Sequence, residues 1–127
     1  MKVYCQVSIG ELLDKISILR IKKGKIIDAK KKQFVGEELE TLTEKMGELN
    51  LEGAENFLQR LVEVNTQLWE IEDDIRIKEK EKDFGKEFLE LARSVYLTND
   101  KRFEIKNEIN QKYGSAIREV KSYEKYS

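Results

Sequence analysis

Nine residues whose types and spacing could do chemistry fall at one level of two consecutive helical patterns. Asn65, Trp69, Glu72, Asp73 and Arg76 belong to the first pattern, and Arg93, Asn99, Asp100 and Arg102 to the second. Arg76, Arg93 and Arg102 could hold a phosphate or carboxylate through their planar, forked guanidinium groups. Trp69, with Tyr96 nearby, could stack on a ring, and Asn65 or Asn99 could fix its polar edges. Charges buried without partners are costly, so this group must pair, meet solvent or bind something. A structural reading competes with the ligand reading: a polar layer fixes helix register, as one buried Asn does in a coiled coil.

The residue types present exclude much other chemistry. The chain has no His, so it holds no Ser-His-Asp triad, Cys-His dyad or imidazole metal site. Its one Cys excludes an intrachain disulfide and a Cys-rich zinc site. Carboxylates and Lys remain as general bases. Glu70-x-x-Asp73 and Glu87-x-x-Glu90 are acid pairs at helical spacing. All-helical nucleoside triphosphate pyrophosphatases hold Mg²⁺ with acids of this general kind. Hairpin geometry separates these two pairs by about two turns, some ~10 Å. No catalytic residue, metal ligand or cofactor is therefore assigned, and Mg²⁺ enters only under an enzymatic alternative. Chorismate-mutase-like chemistry also needs Arg clamps and no His, but no motif here matches that family.

The elements that must position these residues read as helices. Charged side chains make up 39% of the chain, yet the net charge is −1 and apolar residues recur at helical spacing. Proline, which costs a helix interior about 3 kcal/mol, is absent. Residues 2–7 read as an extended arm or edge strand, with Cys5 as a small buried side chain. Ser8-Ile9-Gly10-Glu11 is a capping box that starts a helix at Ile9. One apolar stripe, Ile9, Leu12, Leu13, Ile16, Leu19 and Ile26, is followed by another, Val35, Leu39, Leu42, Met46 and Leu49, two residues out of phase. The slip predicts a kink or break near residues 30–36. After a turn at 50–53, the stripe Ala54, Phe57, Leu61, Val64, Leu68, Ile71 and Ile75 runs unbroken. Asp83 is the expected N-cap of the next helix and Gly114 its stop. The expected fold is all-α: a single domain over residues 1–127, an antiparallel coiled-coil-like bundle of three long helices, with a short N-terminal arm and a C-terminal strap.

Charge supports antiparallel packing. Residues 20–32 hold seven basic groups against Asp28 alone. A hairpin turning near 50–52 places residue i roughly opposite 101 − i, so the basic run faces the acids between 69 and 81. Both runs read equally well as solvated faces. In the second hairpin residue i faces roughly 166 − i, which puts Arg93 opposite Asp73 and Arg102 near Asn65. The basic run lacks interleaved aromatics and the chain is slightly acidic, which argues against a nucleic-acid partner. The longest uncharged run is far short of the roughly 20 apolar residues that span a bilayer. No membrane association and a cytoplasmic location are expected.

Four groups of residues also carry a resemblance. They are Val7-Ser8-Ile9-Gly10-Glu11-Leu12-Leu13-Asp14-Lys15-Ile16; Val64-Asn65 with Leu68-Trp69-Glu70-Ile71-Glu72-Asp73; Leu91-Ala92-Arg93-Ser94-Val95-Tyr96 with Asn99-Asp100; and Gly114-Ser115 with Lys121-Ser122-Tyr123. In this order, over nearly the whole chain, they resemble a family of short bacterial and phage proteins classed as a domain of unknown function. Its members lie near glycosyltransferase and surface-polysaccharide genes. The resemblance implies an all-helical fold and a polysaccharide context, but no activity. The chain departs from the family pattern at Arg20, where an acid is expected.

Three functions follow as expectations. The first is a helical binding module, accessory to surface-polysaccharide synthesis, that takes a partner protein or a small anionic metabolite. The second is a Mg²⁺-dependent nucleotide-hydrolysing enzyme. The third is a purely structural homo-oligomeric bundle. A homodimer is expected in any case, because a first helical region reaching ~60 Å outruns its partners. The stripe from Val35 to Leu49 would then face a symmetry mate.

Overall fold

A computed structural model describes residues 1–126. They form four helices: α1 (Ile9–Lys25), α2 (Ala29–Glu48), α3 (Ala54–Lys80) and α4 (Lys86–Lys112). The all-helical expectation holds, but the helices number four rather than three, because the expected kink or break in the first long region is a full break into two helices. The break falls at residues 26–28, ahead of the expected 30–36. Asp28 sets it: its carboxylate accepts the Lys31 N–H at 3.1 Å and caps α2, while Ile26 is extended. The chain reverses there, and α2 folds back along α1 with Lys15 paired to Glu38 at 3.1 Å.

This reversal changes what α2 covers. Leu39, Leu42 and Met46 pack against the protein's own core rather than awaiting a symmetry mate. Leu12, Leu13 and Ile16 of α1 form that core with Ala54, Leu58, Leu61 and Val64 of α3 and Ile105 and Ile109 of α4. Helix α1 packs on all three other helices. The first-hairpin arithmetic fails for the same reason. Asn65, not a residue beyond 80, lies beside Asp14 and Ser17. Among the described residues the basic run pairs with none of the acids between 69 and 81: Arg20 pairs with Glu55 at 3.0 Å, and the Lys25 ammonium stands 6.0 Å over the Trp69 ring rather than beside an acid.

Helices α3 and α4 form the antiparallel hairpin expected from a turn at 83. The Lys78–Glu87 pair at 2.7 Å and the Arg60–Glu108 pair at 2.6 Å mark its register. Near its open end Phe57 meets Tyr113 edge-on, with ring centres 6.0 Å apart. Asp83 is not the N-cap of α4, which begins after Gly85; its carboxylate instead accepts the Gly85 N–H at 3.3 Å. Gly114 does stop α4. Its φ of 62° lets the Ser115 N–H reach the Asn110 carbonyl at 2.9 Å, a Schellman closure.

The segment before α1 is an arm without regular structure, and Cys5 on it is exposed rather than buried. Residues 115–126 run on as a non-helical strap. Ser127, its expected last residue, lies outside the described residues. No helix among the described residues is long and apolar enough to cross a membrane.

Candidate ligand-binding site

The polar layer is organised around a residue the spacing argument left out. Asp14 of α1 is fully buried, at 0% exposure. Its carboxylate accepts Arg102 Nε at 3.0 Å, Arg102 Nη2, and Asn65 Nδ2 at 2.9 Å. The Asn65 amide also donates to Ser17 Oγ at 2.9 Å, and the Ser17 hydroxyl donates to the Asp14 carbonyl at 2.6 Å. A carboxylate demands donors, so it fixes which end of the Asn65 amide faces it. Hydrogen bonding to Asp14 holds the Arg102 guanidinium above its ordinary pKa against the opposing effect of burial.

From Asp14 a polar seam runs along the α1–α4 contact. Arg102, Lys106 and Asn110, one turn apart on α4, meet Asp14, Glu11 and Gly10 in reverse order along α1. The Lys106 ammonium is nearly buried and lies 2.8 Å from both Glu11 and Glu119. Burial presses its pKa down, but hydrogen bonds to the two carboxylates outweigh that and hold it above the ordinary lysine value. At the end of the seam, the first amides of α1 find side-chain acceptors. Ile9 N–H donates to Ser115 Oγ at 3.1 Å, Gly10 N–H to Asn110 Oδ1 at 2.7 Å, and Glu11 N–H to Ser8 Oγ at 3.0 Å. Gly10 permits the approach: a Cβ there would stand 2.6 Å from the Lys106 carbonyl oxygen.

Two open clefts meet on this seam and share Asn99 and Arg102. The first, about 390 Å³, lies between α1, α3 and α4. It brings together Asn65, Trp69, Glu72, Asp73, Arg76, Asn99 and Arg102 with the apolar Ile18, Ile21 and Leu68. The second, about 340 Å³, lies between α4 and the strap and takes in Asp100. Asp100 binds Lys121 at 3.2 Å and the Tyr126 hydroxyl, contacts that seat the strap on α4. These two donors, the Tyr126 hydroxyl first, hold the Asp100 carboxyl below its ordinary range.

Seven of the nine residues singled out from sequence thus line one cleft, and Asp100 lines its neighbour. Arg93 belongs to neither. It is exposed and makes no tie to Asp73; its guanidinium is held above the ordinary value chiefly by Tyr96. The hairpin register is as expected, but Arg93 lies two residues from both Leu91 and Val95, which turns it away from the face they share. The members missed were Asp14, Ser17, Lys106 and Asn110. Their signals were present: Asp14 belongs to the Val7-to-Ile16 string, and Arg102, Lys106 and Asn110 are polar residues one turn apart on α4. The first-hairpin register, residue i opposite 101 − i, placed residues 8–15 near 86–93, away from the seam.

The first cleft offers both kinds of polar contact. Arg102 Nη1 and Asn65 Oδ1 make no hydrogen bond to any described residue, while their other polar ends are spent on the Asp14 hub. Both residues line the cleft that Trp69 also lines, and each keeps one polar atom without a hydrogen bond to a described residue. Arg76, paired with Glu72 at 3.3 Å and largely exposed, stands at the rim. Among the described residues no three acids come close enough to hold a metal ion, and the pairs at 70 and 73 and at 87 and 90 do not converge. No family model, curated protein or solved structure matches the chain.

Proposed function

We propose that this chain is a cytoplasmic helical binding module, accessory to surface-polysaccharide synthesis, that takes a small anionic metabolite carrying a flat ring. A nucleotide or sugar nucleotide has that chemistry. The observation that supports it best is that Arg102, Asn65 and Trp69 line one cleft of about 390 Å³, with Arg102 Nη1 and Asn65 Oδ1 free of hydrogen bonds to described residues. That volume lies within the range of ligand pockets, though near its small end. The ring would lie against Trp69, its polar edge would meet Asn65 or Asn99, and the anionic group would bridge Arg102 and Arg76. The chain acts here as a homodimer, on a surface argued below.

Trp69 is the single tryptophan of the chain, so its fluorescence reports on this cleft alone. Titration with inorganic phosphate, nucleoside diphosphates and sugar nucleotides, with and without Mg²⁺, tests the reading. A saturable change that Arg76→Ala weakens tenfold or more, with unchanged melting, is expected. If no compound changes the fluorescence or the melting temperature, the ligand reading is wrong. A structural reading then takes its place, supported by one observation: among the described residues every fully buried side-chain polar atom already has a partner.

A further inference from the structure

The α3–α4 hairpin reaches past the rest of the molecule. Lys25, at the end of α1, lies over Trp69, and α3 continues from there to Lys80, about 16 Å further. Along this arm, every residue from 66 to 97 is half-buried or exposed. Two helices packed only on each other bury little, so such an arm gains from being covered. Total accessible surface is large as well, with the N-terminal arm and the strap contributing beside the α3–α4 hairpin. It is 9406 Å², against roughly 7000 Å² expected for a compact monomer of this mass. A standard interface removes only about 800 Å² from each partner.

One side of the arm is a groove of about 450 Å³ with a marked charge. Asp74, Glu81, Glu87 and Glu90 line it around Ile77 and Leu91, with Lys78 as its one cation. Lys78 is already engaged by Glu87 and Asp83. The opposite chemistry occurs at the α1–α2 turn. Lys22, Lys23, Lys25, Lys30, Lys31 and Lys32 cluster there, and none pairs with an acid among the described residues. At the apex, between these lysines, Ile27 is 94% exposed. A fully exposed Ile ringed by cations matches an apolar groove ringed by carboxylates.

We propose that a second copy of this chain occupies the groove, inserting its α1–α2 turn with Ile27 against Ile77 and Leu91 while its lysines face Asp74, Glu81, Glu87 and Glu90. Turn and groove lie toward the same end of the molecule, so a twofold axis lets each copy give its turn and receive the other's. The contact is thereby closed and self-complementary, and it ends at a dimer rather than a filament. This differs from a dimer through the α2 stripe, which the protein's own core already uses. It is also independent of the ligand reading, because Trp69 and Arg102 lie outside the groove.

Sedimentation velocity of the full chain, over micromolar concentrations and at two salt strengths, tests it. The expected result is a species of twice 15.0 kDa that dissociates at least tenfold more readily at high salt. Ile27→Glu, and separately Lys30→Glu with Lys31→Glu, should yield monomers with unchanged helical circular dichroism, since these side chains are exposed. Glu87→Lys with Glu90→Lys should do the same, and mixing the two charge-reversed proteins should restore a heterodimer. A wild type that stays at 15 kDa up to 100 µM overturns the proposal. So does a dimer that survives both reversals, which would place the interface elsewhere. Should only groove variants lose association while turn variants keep it, the occupant is not this turn and the proposal also fails.

Discussion

Replacing Arg102 by Ala should be among the most damaging single changes in this protein. The wild-type Asp14 carboxylate, at 0% exposure, receives two hydrogen bonds from Arg102 and one from Asn65. Arg102→Ala removes two of these three donors and leaves a buried charge with one amide. Breaking a buried pair in this way costs about 3–5 kcal/mol. The lower half of that range applies, because the Arg102 side chain is 28% exposed and opens onto both clefts, so its removal lets water approach Asp14. The reverse change, Asp14→Asn, should cost less, about 2–3 kcal/mol. Arg102 opens onto both clefts and can turn toward solvent when its carboxylate is gone. Urea unfolding of both single variants and the double variant measures the asymmetry. The double variant should be more stable than the sum of the singles implies, by about 2 kcal/mol, because the two losses describe one interaction. The reasoning is refuted if Arg102→Ala stays within about 1 kcal/mol of wild type, or if Asp14→Asn is the costlier change.

Four further outcomes are expected. Gly10→Ala should destabilise by about 1–3 kcal/mol despite better helix propensity, since the new Cβ meets backbone rather than a movable side chain; urea unfolding checks the sign. Ser8→Ala should cost about 1 kcal/mol, the usual loss for a helix cap, because it frees the Glu11 amide. The Asp100–Tyr126 contact should hold the strap only in a middle pH window. Asp100 lies below its ordinary value of 3.8, so its contribution is complete above 3.8 and is lost as pH falls further; Tyr126 is raised above 10.0, so its contribution is lost as pH rises past 10.0. Brief tryptic cleavage after Lys121 should accordingly be faster in Tyr126→Phe than in wild type at pH 8, and equal rates would show that this contact does not seat the strap. Native Cys5 should react with a thiol reagent at close to the rate of the unfolded chain, as its exposure requires; strong protection would contradict the placement of the arm.

What the sequence by itself determined was local. Helical periodicity, the Ser8 cap, the Gly114 stop and the α3–α4 register follow from residues within a few turns of one another, and the structure agrees with all of them. Seven of the nine residues expected at the polar level line one cleft for the same reason, since a short turn constrains the register of two adjacent helices. Only the tertiary structure decided the rest. The phase slip between the two stripes called for a kink or break, yet whether the chain bends or fully reverses at 26–28 depends on what α2 finds to cover, and that surface lies in the core built from α1, α3 and α4. Tertiary packing sets residues 9–14 against residues 102–115, joining partners up to 106 positions apart in the chain. No periodicity within one segment encodes a distance of that kind. Nothing within α1 marks Asp14 as buried, because its partners come from α3 and α4, and Arg93 does not meet Asp73, because register alone does not fix which way a side chain faces.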